Sequence, residues 1–210
     1  MTREQAVQAL EAGIEMVRRL KEDGYGLLAT GEMGIGNTTT SATVTAALTG
    51  APASRVTGRG AGLSSEGLHK KMQVVEKALA INRPNPDDPI DVISKGGLDI
   101  AGLTGFYLGA AACGLPIVLD GVISCTAALA AVRLCPLVAD YLIAAHCSEE
   151  PASALLLQEL GKKAFITAGM HLGEGTGAAA GIALLDLALA PYRAMPTFDE
   201  IGVEAYKPLK

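Results

Sequence analysis

The sequence predicts a three-layer α/β fold, in which a mostly parallel sheet carries helices on both faces in a Rossmann-like arrangement. Short apolar runs typical of buried strands alternate with longer runs of helical periodicity. Glycine-rich loops follow several of these strands, and half of the 210 residues are apolar while only 4% are aromatic. Such small side chains let helices pack closely onto a sheet. We therefore predict that residues 1–210 form a single α/β domain with a C-terminal tail over 191–210.

The first half of the chain opens with an amphipathic segment. Leu10 and Ile14 belong to an apolar series with helical spacing, and Thr2 followed by Gln5 is typical of a capping box. These features predict a helix over 3–22. The segments that follow predict a strand over 25–30, helices over 37–48 and about 65–82, and a loop over 83–89.

The longest apolar stretch, residues 98–119, is long enough to span a membrane. It contains Asp99, several glycines and Pro116, which instead favour a buried helix over 98–112, a turn and a strand over 116–119. We therefore predict no membrane segment. The remaining segments predict helices over 90–94, 122–135, 151–160 and 178–190, and strands over 140–145 and 164–167.

Charge and cysteine usage argue against several classes of function. The net charge is −5 and the basic runs are short, so the sequence lacks the positive patch of a nucleic-acid-binding protein. The four cysteines lie in or beside apolar segments, which predicts reduced cysteines in the core of a cytoplasmic protein. They lack C-x-x-C spacing, so we predict no metal site. The polar N-terminal residues predict no signal peptide, and we expect no cofactor.

The most informative motif is the glycine loop GEMGIGNTTT at residues 31–40, between a predicted strand and a predicted helix. Glycines allow close backbone approach, and the first helical turn offers unpaired N–H groups to an anion. The spacing from Gly31 to Thr38 matches a phosphate-binding P-loop except that Asn37 replaces the lysine. This favours a ligand with one phosphate over a nucleoside triphosphate. The alternative is an ordinary glycine-rich turn.

Polar residues follow several predicted strands, where ligands of open parallel sheets bind. They are Glu32, Arg59, Asp120, His146, Ser148 and Glu174. Glu174 lies between glycines in the loop GMHLGEGTG at 169–177, and partial desolvation would raise the pKa of such a carboxylate and suit it to act as a general base. The alternative is that it caps the following helix. Either Lys70 or Lys71 could reach a phosphate at the first loop, although most lysines are simply solvated.

Several motifs in one order resemble the nicotinate-nucleotide–dimethylbenzimidazole phosphoribosyltransferase family, which makes the lower-ligand nucleotide of cobalamin. They are GEMGIGNTT at 31–39, GRG at 58–60 with GLHKK at 67–71, GGLDIA at 96–101, LDG at 119–121 and GMHLGEGTG at 169–177. The resemblance runs from about residue 2 to residue 203.

The resemblance implies a reaction and a set of roles. Glu174 is implied as the proton acceptor of a benzimidazole-type base, which attacks the ribose C1′ of nicotinate mononucleotide with inversion and releases nicotinate. Glu32 is implied as a second active-site carboxylate. It also implies a homodimer and phosphate or nucleotide contacts from Gly34, Gly36, Asn37, Thr38, Lys71, Asp120, Ser148 and Gly175.

The chain departs from the family in two respects. Members usually carry a long N-terminal region that helps bind the aromatic base, and this chain begins where that region would end. We expect a shortened paralogue, a fragment, or one subunit of an enzyme whose second chain supplies that region. Pro151-Ala152-Ser153 also stands where the family commonly has a Gly-His pair, which predicts a lost polar contact. The alternative function is a nucleotide-binding module without catalysis, although such a module needs neither Glu32 nor Glu174.

Overall fold

A computed structural model describes residues 1–204 and 206–207 and confirms the predicted α/β class. The part of the predicted tail at Ala205 and at residues 208–210 lies outside the described residues. The helices are α1 Arg3–Glu22, α2 Thr38–Thr49, α3 Ala53–Val56, α4 Ser65–Asn82, α5 Pro89–Ser94, α6 Leu98–Ala112, α7 Val122–Leu134, α8 Ser153–Glu159 and α9 Thr176–Ala194. The strands are β1 Leu28–Ala29, β2 Ile117–Leu119 and β3 Leu142–Ala144, and a 3₁₀ helix spans Pro136–Tyr141.

The sheet is parallel and small, in the order β1-β2-β3. Leu28 pairs with Ile117, which in turn pairs with Leu142. The strand predicted over 164–167 is wrong as an element, because this segment contributes only an isolated parallel bridge between His146 and Ile166. The strands nevertheless end at a common edge, which brings the loops after β1, β2 and β3 together.

The two faces of the sheet are covered unequally, because successive side chains of a strand point to opposite faces. Ile117 and Leu119 face the main core, which includes buried residues of α2, α6 and α7. Val118 faces the other side, where it packs with Ala145 and with Ala178 of α9. The N-terminal half of α9 thus forms the third layer and is anchored directly behind the site.

The C-terminal half of α9 leaves the sheet and exposes apolar side chains. Leu187 is 67% exposed and Tyr192 is 83% exposed. The helix continues to Ala194, so the prediction that it ends at residue 190 is wrong. Pro191 lies within its last turns, where the lost N–H affects a single helical hydrogen bond. Within the described residues, no helix is both long enough and apolar enough to cross a membrane.

Candidate functional site

The first glycine loop, residues 31–37, joins β1 to α2 and carries the half-buried Glu32. Glu32 Oε2 accepts a hydrogen bond from the Gly34 N–H. The side chain of Asn37, the residue before α2, makes no capping hydrogen bond to this helix. Among the described residues, no side chain caps the first turn of α2, so its N–H groups are available to an anion, which the helix dipole also favours.

Asn37 is held instead by Asp99, at the start of α6. Its Nδ2 donates to Asp99 Oδ2 over 2.6 Å, whereas its buried Oδ1 has no hydrogen-bond partner. Asp99 lies against Gly97, where a Cβ atom would come within 2.0 Å of Asp99 Oδ1. A buried unpaired acceptor is costly unless a ligand or water donates to it, so the Asn37 amide is suited to meet a bound donor.

Lys71 of α4 reaches the start of α2. Its Nζ donates to Thr38 Oγ1 and to the Gly58 carbonyl, both over 2.9 Å, and the residue is only 7% exposed. Burial lowers the pKa of Lys71, and the nearby Glu150 carboxylate partly opposes this effect. Lys70 is exposed. Of the two lysines considered from the sequence, Lys71 is therefore the one beside the first loop.

The loop after β3 contacts the second glycine loop, residues 58–62. A Cβ atom on Gly58 would lie 1.5 Å from Glu150 Oε2, so the end of the Glu150 side chain lies directly against this glycine. Ser148 is buried, its Oγ accepts from the Glu150 N–H over 3.3 Å, and its own N–H donates to Ser153 Oγ over 2.9 Å. Ser153, in the segment that departs from the family, thus makes a polar contact with Ser148, and α8 begins there.

The third glycine loop, residues 169–177, is hydrogen-bonded to Asp120, the residue that follows β2. This carboxylate is 2% exposed, and its Oδ2 accepts from the Gly175 N–H over 3.0 Å. Its Oδ1 accepts from the N–H groups of Gly177 and Ala178, over 2.9 and 3.2 Å. Asp120, the residue after β2, therefore caps α9.

The first and third loops touch, which brings Glu32 and Glu174 to one pocket. The Glu174 N–H donates to the Glu32 carbonyl over 2.9 Å, and a Cβ atom on Gly31 would lie 2.5 Å from the Gly175 nitrogen. An open pocket of about 400 Å³ lies between the loops, lined by Ala29, Thr30, Gly31, Glu32, Met33, Glu174 and Gly175.

The surroundings of Glu174 differ from the expectation. The sequence predicted partial desolvation, but Glu174 is exposed, because its loop forms an open rim of the pocket. Its backbone has a φ of 57°, a left-handed conformation that is unusual for a residue other than glycine. The loop therefore holds the backbone of Glu174 in an unusual conformation and leaves its side chain exposed.

Other residues singled out from the sequence have supporting positions. Arg59 donates to the Leu63 carbonyl and to Ser65 Oγ, so it orders its own loop. His146 is buried against Gly177, and its Nδ1 has no hydrogen-bond partner. Neither side chain lines the pocket between the carboxylates.

Sequence reasoning assigned no role to three residues that shape the site, namely Asp99, Glu150 and Ser153. Asp99 stood in the motif at 96–101, which was a usable signal, whereas nothing in the sequence indicated that Glu150 contacts Gly58. Within the described residues, no cluster of three or more His, Cys, Asp or Glu side chains could hold a metal ion.

Comparison with known proteins gives a consistent match over the chain. A family model described as DBI_PRT, phosphoribosyltransferase, matches residues 1–203. The nicotinate-nucleotide–dimethylbenzimidazole phosphoribosyltransferase of Clostridium acetobutylicum is 50% identical over 211 residues, which cover 100% of this chain and 60% of that protein. The enzyme of the same name from Acetivibrio thermocellus is 51% identical, over 99% of this chain and 60% of that protein.

A solved structure has the same fold. The crystal structure of CobT from Thermus thermophilus matches with a TM-score of 0.90 and 44% identity, over 97% of this chain and 61% of that chain. The chain thus spans about 60% of the length of these relatives.

Proposed function

Because the chain belongs to the phosphoribosyltransferase family, we propose that its site transfers the phosphoribosyl group of nicotinate mononucleotide to 5,6-dimethylbenzimidazole or a related base. The relatives that match the whole chain carry the name of that activity. The observation that supports the proposal most strongly is the pair of carboxylates, Glu32 and Glu174, on two glycine loops in contact beside an uncapped helix.

We propose that the nucleotide phosphate binds at the start of α2. The cradle would consist of the loop from Gly34 through Gly36 to Thr38, with Asn37 supplying its unpaired oxygen to a donor on the ligand. Lys71 would supply positive charge, and its contact with Thr38 already directs the ammonium group to this helix turn. Ser148 and Gly175 complete the proposed set. A single phosphate agrees with the absence of a P-loop lysine at position 37.

The proposed reaction needs one base and no redox step. Glu174 would accept the proton of the benzimidazole N–H, and a ring nitrogen would then form the bond to C1′ from the face opposite nicotinate. The C1′–nitrogen bond to nicotinate breaks with its electron pair, so the configuration inverts from β to α and the product is α-ribazole 5′-phosphate. Glu32, as a second carboxylate, would favour the positive charge that develops on the ribose.

Substitution of Glu174 by glutamine tests this assignment. The E174Q variant keeps the size of the side chain but cannot accept the proton, so we expect turnover to fall by about 10²- to 10⁴-fold while nicotinate mononucleotide still binds. E11Q, at an exposed position on α1, is the matched control and should retain full turnover. An E174Q variant with native turnover would contradict the role of Glu174 as the base.

A second candidate function is a nucleotide-binding module that needs another polypeptide for catalysis. It is favoured by the exposure of Glu174 and by the open shape of the pocket that this residue lines, which would not enclose an aromatic base. The two candidates differ in one measurement, because the module would bind nicotinate mononucleotide without releasing nicotinate when the base is added.

We propose that the exposed apolar side chains of α9 and of the segment after it form an interface. Leu187, Tyr192, Met195 and Phe198 are each at least half exposed, which is unusual for a surface in contact with water alone. A homodimer is the first candidate, and a second chain carrying the part of the relatives' length that this chain does not span is the other. Sedimentation of the purified chain would give a dimer in the first case, and a monomer would favour the second.

We infer a cytoplasmic location. All four cysteines are unpaired in the structure, as expected in a reducing compartment. Fractionation of cells that express the chain would test this inference, and recovery with the membrane fraction would contradict it.

A further inference from the structure

We propose that Asp120 is a positioning residue that fixes the loop of Glu174, rather than a ligand of the nucleotide. The inference rests on the proposed function, because it concerns the placement of the proposed base. It also replaces the role in nucleotide binding that the family resemblance implied for this residue.

Both carboxylate oxygens of Asp120 are already occupied by the third glycine loop. Oδ2 accepts from the N–H of Gly175, the residue that follows Glu174, and Oδ1 accepts from the N–H groups of Gly177 and Ala178. These three donors belong to the end of the loop and the first turn of α9. A ligand contact through this carboxylate would require these charge-assisted bonds to be given up.

The charge of Asp120 is balanced by backbone rather than by a cation. The residue is 2% exposed, and the structure contains no ion pair to it within the described residues. The neighbouring Cys125 thiol is neutral and adds no second negative charge, because burial, followed by the Asp120 carboxylate, raises its pKa to about 12. The positive end of the α9 dipole is therefore the main compensation, and the carboxylate is directed to that helix terminus.

The backbone conformation of the third glycine loop explains why hydrogen bonds to Asp120 are needed to hold it. Gly173, Glu174 and Gly175 have φ values of 79°, 57° and 80°, so three consecutive residues have positive φ. That conformation is strained for Glu174 and persists only where the surroundings determine it. The Glu174 N–H donates to the backbone carbonyl of Glu32, and the Gly175 N–H donates to the Asp120 carboxylate. The two bonds flank the Glu174 Cα atom and therefore hold the backbone from which its side chain extends.

The D120N variant tests the inference, because asparagine has nearly the same shape but offers one acceptor oxygen and presents an NH₂ group to the remaining donors. We expect amide hydrogen exchange to accelerate at Glu174, Gly175 and Gly177. Turnover should fall by about 10²-fold through a lower kcat, as for a reacting group displaced by about 1 Å. The dissociation constant for nicotinate mononucleotide should change much less than kcat, because Gly175 is the only member of the proposed nucleotide-binding set that Asp120 holds.

D88N is the matched control. Asp88 also caps a helix, accepting from the N–H groups of Ile90 and Asp91 at the start of α5, but it does not line the pocket. The same chemical change there should leave exchange at 174–178, nucleotide affinity and kcat unchanged.

Two results would overturn the proposal. A D120N variant that weakens nucleotide binding at unchanged kcat would identify Asp120 as a ligand. Unchanged exchange at 174–178 would show that it does not hold the loop. The exchange measurement needs neither turnover nor nucleotide, so it remains decisive even if the native chain has no transferase activity and the proposed function fails.

A measurement on the unsubstituted chain covers the case in which D120N does not fold. Scalar couplings across hydrogen bonds, from the N–H groups of Gly175 and Gly177 to the Asp120 carboxyl carbon, should be present in the free protein and persist with nicotinate mononucleotide bound. Their loss on addition of the nucleotide would mean that the carboxylate turns to the ligand, and would contradict the proposal.

Discussion

Replacement of Gly31 by alanine tests the contact between the two glycine loops. The new Cβ atom would lie 2.5 Å from the nitrogen and 2.7 Å from the Cα of Gly175. Ordinary contact begins at 3.4 Å, so the loops must separate by about 0.9 Å, and no flexible side chain can move aside because both atoms belong to backbone. The change therefore moves Glu174 relative to Glu32.

The expected effects of G31A follow from that displacement. A shift near 1 Å at reacting groups costs about 10²-fold in kcat. Overpacking at this site costs about 1–3 kcal/mol in the free energy of unfolding, which for a chain of this size lowers Tm by about 2–12 °C. Steady-state turnover and thermal unfolding followed by circular dichroism measure the two effects.

The control for G31A is G26A, just before the same strand. A Cβ atom added at Gly26 would have no atom within 4 Å, and Gly26 has no positive φ, so alanine there should change neither turnover nor Tm. If G31A matched both G26A and the native chain in Tm, the two loops would not touch as described, and the reasoning about the paired carboxylates would fail.

Three further predictions concern single side chains. The K71M variant should bind nicotinate mononucleotide about 10-fold more weakly or worse, as expected when a charge-assisted contact worth about 1.5–3 kcal/mol is lost. The K70M variant should bind it with native affinity. Calorimetric titration of both variants measures the difference, and equal affinities would contradict the role of Lys71. Y107F removes a buried hydrogen bond of 2.6 Å to Thr30 Oγ1, so urea denaturation should show a loss of about 1–3 kcal/mol in the free energy of unfolding, and a neutral change would refute the bond. T2A removes the capping box of α1 and should cost about 0.5–2 kcal/mol by the same assay, with no change in nucleotide affinity, whereas full stability would show that the cap contributes nothing.

Much of the helical structure could be predicted because local signals define it. The capping box at Thr2 and the apolar spacing that follows gave α1 its observed bounds, Arg3–Glu22. The strands were predicted too long, since only two or three residues of each pair across this small sheet. At residues 164–167 the apolar run looked like a strand, but only Ile166 forms a bridge. Strand pairing depends on distant partners, which a local pattern does not contain.

The site was predictable in its composition but not in its internal contacts. The glycine loops and their carboxylates follow from the motifs, and the sheet brings them to one edge. The bonds from Asp120 to the third loop join residues 55 to 58 positions apart, and no local pattern indicates them. The exposure of Glu174 depends on how much of the pocket rim is covered by other parts of the fold. That is a property of tertiary structure, so sequence reasoning placed the residue correctly in a loop but not its degree of burial.

The most direct test of the proposed activity is turnover by the purified chain with nicotinate mononucleotide and 5,6-dimethylbenzimidazole, followed by liquid chromatography. We expect nicotinate and α-ribazole 5′-phosphate in equal amounts, in a reaction that depends on Glu174. Nucleotide binding without release of nicotinate would contradict the proposed transferase activity of this chain and would favour the binding module.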